Sequence, residues 1–548
     1  MADPTTPWWK RAVFYQIYPR SYADSNGDGV GDLAGITAHL DHLNDGTPQS
    51  LGIDAIWISP FYRSPMADFG YDVADYCDVD PAFGTLADFD RLLAEAHRRG
   101  IRVIVDFVPN HTSDRHPWFV ESRSSRTNPR RDWYVWADPA PDGGPPNNWR
   151  SHFLGAPAWT LDRATGQYYL HLFLAEQPDL NWWNPEVRQA VEGAMRFWLD
   201  RGVDGFRIDV AHLMLKDRQL RDNPVPLPPA SVGGRMDEDQ PEVHDIHRAW
   251  RRLLDSYGDR MAVGEVYILD TVRMVRYYGE ANDELHLAFN FAFLRQPWKA
   301  EAFRESADLL ESVLPPGAWP DYTLSNHDVP RARSRYDSVA RGAGGGQAGP
   351  ARARLAAMML LTLRGTPFIY YGEEIGQADG EVPRDRVLDV HGRDPERTPM
   401  QWAAGPGAGF TAPGVEPWLP IGAEAERVNV AAQRGDPNSI FSLYRRLIWY
   451  RRGSAALLDG SYRSLGAGGP RGVYAYLREA PGERLLVALN FTGAARRLDG
   501  AAAGLPESGT LALATEAGRE VGLPVSLRPL GLGPNEGVVV RLEAGDPR

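Results

Sequence analysis

Cysteine is almost missing from this chain: Cys77 is the single one in 548 residues. One thiol can form neither an intrachain disulfide nor a thiolate metal cluster, and the scarcity suits a reducing compartment. Long apolar runs are missing too. Nothing approaches the ~20 consecutive apolar residues of a membrane-spanning helix. Met1 to Arg11 is polar and Trp-containing, without the apolar stretch of a secretory signal. The expectation is a cytoplasmic protein with no membrane partner. Positive charge is in deficit, with a formal net charge of −13, which argues against nucleic acid as a partner. No strand-linked Gly-x-Gly-x-x-Gly and no phosphate loop is found, so no organic cofactor is expected. There is no internal repeat.

What is present is a globular composition, 43% hydrophobic, and a length sufficient for more than one domain. The 17 Trp and 22 Tyr supply flat apolar faces that suit sugar rings, although most such rings fill cores. Short apolar runs alternate with helical stretches. Val13–Tyr18, Ala55–Ile58, Arg102–Phe107, Gly205–Ile208, Met261–Gly264, Leu287–Phe291, Tyr322–Ser325 and Pro367–Tyr371 read as buried strands. Phe89–His97 carries helical spacing and stops at Gly100. Strands separated by helices predict a parallel (β/α)8 TIM barrel, with a doubly wound sheet as the competing pattern.

Two stretches interrupt the alternation. From His111 to about Pro185 the chain is rich in Trp, Pro, Asn and Asp and reads as an irregular inserted subdomain. A second loop-rich stretch, with Arg393, Arg397 and Trp402, runs from about 372 to 434. Arg341–Gly349 is Gly/Ala-rich and reads as a flexible loop. Beyond Ala455 the composition turns to Gly, Leu, Val and Ala, with strand-like runs at Gly472–Leu477 and Arg484–Asn490. The expected division is a barrel begun by residues 1–110, a subdomain over 111–184, the rest of the barrel over 185–454 and a C-terminal antiparallel β-sandwich over 455–548.

Polar residues sit where those strands end. Asp106, Asn110 and His111 accompany the third strand, Arg207 and Asp209 the fourth, Glu265 the fifth, and His327 and Asp328 the seventh. In a barrel the carboxyl ends of all strands meet at one mouth. Four carboxylates, an arginine and two histidines would therefore share a pocket. Each alone suits a strand-end cap; together they suit glycoside hydrolysis. One carboxylate faces an oxocarbenium-like transition state while a second carboxyl protonates the leaving oxygen. Arg207, two residues before Asp209, points to the same side of the strand and would hold that carboxylate ionised.

These segments resemble a family. Asp106-Phe-Val-Pro-Asn-His111, Gly205-Phe-Arg-Ile-Asp-Val-Ala-His212, Gly264-Glu-Val266 and Ser325-Asn-His-Asp328 are similar to the ordered motifs of the α-amylase superfamily of glycoside hydrolases. Gln177-Pro-Asp-Leu-Asn181 resembles the motif of its oligo-1,6-glucosidase and α-glucosidase branch. The resemblance runs from Phe14-Tyr-Gln-Ile-Tyr-Pro-Arg-Ser21 to Arg397-Thr-Pro-Met-Gln-Trp402. It implies Asp209 as nucleophile, Glu265 as general acid/base and Asp328 as the carboxylate gripping sugar hydroxyls. It implies that His111, His327 and Arg207 bind the glucosyl unit or orient the nucleophile, with Tyr71 stacked beneath. Retention of configuration follows, through a nucleophile and acid about 5–5.5 Å apart.

Asp68 matches a carboxylate that, in this branch, pairs with an arginine of the late loop and closes the pocket behind one glucose unit. Arg397 is the expected partner and Arg393 the alternative. The pocket so formed would release α-glucose from the non-reducing ends of short oligosaccharides or disaccharides. Val210 after the nucleophile accompanies α-1,6 cleavage in the branch, without excluding α-1,4. His212 either faces the leaving group or packs at a helix start. Asp24, Asn26, Asp28, Val30 and Asp32 place oxygens at alternate positions, as Ca²⁺ loops do. The loop lacks the closing Glu of an EF-hand, and an Asx-turn loop without metal is the other reading. By resemblance it would hold a structural Ca²⁺ or Mg²⁺, with Val30 giving its carbonyl. His39 and His42 read as a solvated helix face.

The nearest rival is a transglucosylating relative: a sucrose isomerase, trehalose synthase or amylosucrase. The Arg-Leu-Asp-Arg-Asp motif of many sucrose isomerases is absent after Asp328, where the chain reads Val-Pro-Arg-Ala-Arg-Ser-Arg-Tyr336. A non-catalytic relative of the amino-acid transporter heavy chains is disfavoured, since the catalytic positions are intact and no membrane span is found. The oligomeric state is not readable.

Overall fold

Alternation along each apolar run decides which side chains fill the barrel. A computed structural model describes residues 6–153, 155–228, 233–341, 348–466 and 470–543, with 338–341 described in backbone only. Its strands are β1 (Phe14–Ile17), β2 (Ala55–Ile58), β3 (Arg102–Phe107), β4 (Gly205–Ile208), β5 (Met261–Gly264), β6 (Leu287–Ala288), β7 (Asp321–Thr323) and β8 (Thr366–Tyr370). They form one eight-stranded sheet in the order β6-β5-β4-β3-β2-β1-β8-β7, every pairing parallel. This is the (β/α)8 barrel, and the doubly wound alternative is excluded. Phe14, Trp57, Ile104, Met261, Val263, Leu287, Phe289 and Phe368 pack as one cluster. Their neighbours Tyr15, Ile56, Val103, Val105, Phe206 and Ile208 join the larger cluster that also holds residues of the surrounding helices.

Register places the site. Asp106 pairs with Arg207 and Phe107 with Ile208 across β3 and β4, and Ile208 pairs with Gly264 across β4 and β5. The residues that follow, Asp209 and Glu265, therefore leave the sheet side by side. Helix starts and stops follow local chemistry. Leu86–Arg98 begins at a Thr85/Asp88 capping box, with Gly100 at φ +72 beyond its end. Pro185–Arg201 begins on Asn184 and ends at Gly202 in the left-handed region.

Several expectations need correction. The sixth strand is only Leu287–Ala288; Phe291 already opens the helix Phe291–Leu294. The seventh begins a residue earlier, at Asp321, and ends at Thr323. The insertion after β3 is ordered, not irregular: it holds the helix Pro117–Ser124 and a three-stranded antiparallel sheet of Trp136–Ala137, Gln167–Leu170 and Trp159–Asp162. The Gly/Ala-rich loop expected over 341–349 lies almost wholly outside the described residues, while Gly349 opens the helix Gly349–Thr362. His42 is buried and His39 half-buried, so the pair is not a solvated face. His39 packs on Trp402 with ring centroids 3.9 Å apart, and buried His42 lies 3.0 Å from Glu374.

The C-terminal strands β9 (Ser461–Ser464), β10 (Val473–Ala480), β11 (Glu483–Asn490), β12 (Arg496–Leu498), β13 (Ser508–Ala514), β14 (Pro524–Ser526), β15 (Leu530–Leu532) and β16 (Gly537–Leu542) form a six-stranded antiparallel sheet in the order β9-β10-β11-β16-β13-β14, with β12 and β15 as a separate pair. Among the described residues, no helix is long and apolar enough to cross a membrane.

Candidate active site

Arg207, fully inside the barrel, is the centre of the charge arrangement. Its Nη1 donates to Asp209 Oδ1 at 2.6 Å and to Asp106 Oδ1 at 2.8 Å, while Nη2 lies 2.6 Å from Glu265 Oε2. Trp57 backs the guanidinium at 5.1 Å. Three carboxylates thus share one cation in a water-poor space. Burial, and then the neighbouring Glu265 and Asp106 charges, push the Asp209 carboxyl well above its ordinary value against the pull of Arg207. Burial also raises Asp106 to about 6. Crowding of three buried carboxyl groups around one cation therefore favours keeping a proton within the cluster. Val210 holds a positive φ of +35, costly for a β-branched residue. That backbone turns its N–H to Glu265 Oε2 at 3.1 Å.

A second group surrounds His327. Gln16 Nε2 donates to His327 Nδ1 at 2.8 Å, so the proton sits on Nε2, which reaches Tyr71 Oη at 2.7 Å and Asp328 Oδ2 at 3.0 Å. The Tyr71 and His327 rings stack at 5.2 Å, and Tyr71 Oη donates to Asp106 Oδ2 at 2.9 Å. Burial drives His327 well below its usual range. Burial opposes ionisation of Asp328, yet the His327 Nε2–H beside it and the charges of Arg393 and Arg397 hold it below the normal carboxylate range. His111 accepts from Asn110 at 3.1 Å and donates to the Tyr71 carbonyl at 3.2 Å; burial lowers it to about 4, so it stays neutral.

The partner of Asp68 is Arg393, not Arg397. Arg393 Nη2 donates to Asp68 Oδ1 at 2.6 Å and Nη1 to Asp328 Oδ1 at 3.0 Å, while Asp389 steadies the same guanidinium at 2.7 Å. Arg397 is turned inward, donating to Asp328 at 2.9 Å and to the His327 carbonyl at 2.7 Å. Gln177, from the branch motif, donates to the other Asp68 oxygen at 3.1 Å. These groups converge on a cavity of about 510 Å³ lined by Asp68, Tyr71, His111, Asp209, Glu265, Asp328 and Arg393.

Sequence reasoning missed part of the wall. Phe153 and Phe173 come from the insertion and His391 from the late loop. Phe153 stacks on His391 at 3.7 Å and meets Phe173 at 5.1 Å, bridging the two insertions. On the other side stand Tyr267, Phe291 and Arg295, the two rings 4.8 Å apart. The aromatic richness of the first insertion was the available signal for Phe153 and Phe173; nothing in the late loop marked His391.

The Asp24–Asp32 loop closes on itself. Asp24 accepts backbone N–H groups from Asn26, Gly27 and Gly29, Asn26 accepts from Asp28, and Asp28 from Val30. Asp32 caps the helix Leu33–Ala38 and holds Ser25. The backbone hydrogen bonds of the loop are those of Asx turns, and among the described residues no three His, Cys, Asp or Glu side chains gather as a metal cluster.

A parallel barrel with paired acids at its strand ends, opening into one walled cavity, defines the chain as a barrel hydrolase of the carboxylate-pair class. A model of the alpha-amylase catalytic domain matches residues 16–460. A probable alpha-glucosidase of Rhizobium meliloti (strain 1021) is 44% identical over 522 residues, 90% of this chain and 91% of that protein. An oligo-1,6-glucosidase of Parageobacillus thermoglucosidasius is 40% identical, covering 88% and 90%. Among solved structures, the alpha-glucosyl transfer enzyme XgtA has a TM-score of 0.87 at 41% identity, covering 98% of this chain and all of the other. The isomaltulose synthase of Erwinia rhapontici NX5 reaches 0.88 at 36% identity, covering 99% of this chain and 100% of the other. The chain belongs to the α-amylase family of glycoside hydrolases, in its α-glucosidase and oligo-1,6-glucosidase branch.

Proposed function

We propose that this protein is a retaining, exo-acting α-glucosidase that releases α-glucose from the non-reducing ends of short α-glucosides, with α-1,6 links accepted alongside α-1,4. The observation that carries this reading is the pair Asp209 and Glu265 on one guanidinium, inside a cavity shut at one end by Asp68 and Arg393. Glu265, as general acid, gives a proton to the glycosidic oxygen as Asp209 attacks the anomeric carbon, and the aglycone leaves as an alcohol. Glu265, now a carboxylate, takes a proton from water, whose oxygen displaces Asp209 and restores the α-configuration. Asp328, kept ionised by its arginines, binds glucosyl hydroxyls; His111 and His327, both neutral, serve as hydrogen-bond partners, and Tyr71 floors the site. Val210, and the oligo-1,6-glucosidases among the relatives, support α-1,6 cleavage.

A transglucosylase is the second reading. Tyr267 and Phe291 beside the acid favour it, since an apolar approach disfavours water against a sugar acceptor. Proton NMR of the enzyme acting on maltose, isomaltose, sucrose and trehalose separates the two. Initial α-glucose is expected. Initial β-glucose would overturn the double displacement, and new disaccharides in excess over glucose would make the enzyme a transferase.

The Asp24–Asp32 loop is all oxygen in its donors, with carboxylate lone pairs left over, and that chemistry fits a hard cation. Ca²⁺ or Mg²⁺ would be held by Asp24, Asn26, Asp28, Asp32 and the Val30 carbonyl, stiffening the loop and taking no part in the reaction. EDTA is then expected to lower the melting midpoint of the wild type and to leave that of Asp24→Ala unmoved. The scarcity of cysteine supports a cytoplasmic location.

A further inference from the structure

The far side of the cavity carries groups for which the reaction above has no use. The segment after β4 returns to the barrel mouth where the Asp239 N–H donates to the His212 carbonyl at 2.9 Å. Gln240 Nε2 donates to the carbonyls of Arg235 at 3.0 Å and Glu238 at 2.9 Å, fixing both residues in one turn. Arg235 and Glu238 line the same cavity as Asp209 and Glu265. The charged groups around Glu238 are Arg235, Asp237, Asp239 and Arg273, none of them from the Asp68–Arg393 end. Glu238 is only 4% exposed, and Arg235 meets it through a single contact of 3.3 Å. A tight structural ion pair between residues three apart would sit closer and bind in two places. His212, three residues past Asp209 and also lining the cavity, leaves its buried Nδ1 without a partner.

We propose that Glu238 and Arg235 form the acceptor subsite, holding vicinal hydroxyls of the departing or incoming sugar beside His212. A carboxyl group accepts from one hydroxyl while a neighbouring guanidinium donates to the next. A sugar that fills this space completes hydrogen bonds that the free protein leaves long or unmade. Burial raises Glu238 to about 7, so near neutrality it also has a proton to donate. The proposal rests on the glucosidase reading of Asp209 and Glu265, and the test separates the two.

Glu238→Gln and Arg235→Ala are compared with wild type on isomaltose, maltose and p-nitrophenyl α-glucoside, whose nitrophenyl aglycone has no hydroxyls. The expected result is a rise in KM of about tenfold for the disaccharides, with kcat and KM for the nitrophenyl substrate unchanged. Transfer to added glucose should fall in parallel. Equal losses on all substrates, or no loss on any, overturn the subsite. Melting midpoints of both variants identify a folding defect, and Glu238→Gln, nearly isosteric, is the decisive variant if Arg235→Ala unfolds. Failure of the wild type itself to cleave the nitrophenyl glucoside refutes the glucosidase reading, and the subsite with it.

Discussion

One guanidinium cannot neutralise three buried carboxylates, and that imbalance poises the residues of the site. With Asp106, Asp209 and Glu265 all ionised around Arg207, the net charge would be −2, which burial makes costly. One proton retained within the cluster lowers that cost. Asp209→Asn keeps the shape and removes the carboxylate to which we assign the attack. We expect kcat to fall by about 10⁴-fold or more with the melting midpoint unchanged or raised, measured on a nitrophenyl glucoside. A variant that kept a tenth of the activity would displace Asp209 from its role. Arg393 has a different task, holding Asp68, Asp328 and Asp389 together. Truncating a buried charge partner costs about 2–5 kcal/mol. Arg393→Ala is therefore expected to lower kcat/KM by at least about 30-fold, with much of the loss in KM. An unchanged KM would show that the ion pair does not bound the glucose site.

At the scale of elements, the strands that were legible were those whose apolar run is bounded on both sides. β2, β3, β4 and β5 stand where their runs predict, and β1 and β8 within a residue. β6 was overread because Phe289 and Phe291 continue the apolar run after the strand has ended, packing instead in the barrel interior. The convergence of Asp209, Glu265 and Asp328 on one cavity was legible because they lie in the motifs at strand ends. The Asp68 partner was not, since Arg393 and Arg397 flank one short turn, Asp394–Arg397, and only the path of the loop decides which faces outward. Similarly, His39 is half-covered by Trp402 and His42 buried beside Glu374, both distant in sequence. β7 carries a strain that no motif announces. Asp321 is fully buried, and neither carboxylate oxygen has a partner. Burial pushes it to about 8. The folded state thus binds a proton that the unfolded chain releases near pH 4, so stability is full below that pH and declines as pH rises towards 8. Asp321→Asn mimics the neutral form. We expect it to raise the melting midpoint at pH 8 and to leave it unchanged at pH 4; equal effects at both values would exclude the buried titration.

Across the whole molecule, Arg478 joins the C-terminal sheet to the barrel by donating to carbonyls, and Arg451 binds carbonyls beside it on the barrel side. Arg478 on β10 is fully buried and donates to the carbonyls of Thr362 at 2.8 Å, Leu457 and Gly460 at 3.1 Å, and Ser461 at 3.2 Å. Arg451, from the helix Ile440–Gly453, donates to Leu361 at 3.1 Å and Gly365 at 2.6 Å. Between them they occupy the carbonyls where the helix Gly349–Thr362 ends and the chain turns into β8, a helix end that otherwise lies buried without acceptors satisfied. Burial lowers both guanidinium groups, Arg478 to about 9 and Arg451 to about 10, so their charge is retained for its donors and against a desolvation cost. Replacing Arg478 by Met fills similar volume and strands four carbonyls, at about 1–3 kcal/mol each before water rescues any of them. The cavity takes no lining residue from the C-terminal sheet. Arg478→Met should therefore lower the melting midpoint by several degrees while leaving kcat and KM at 25 °C at their wild-type values. A fall in kcat with an unmoved midpoint would mean that the sheet couples to the site rather than bracing the barrel.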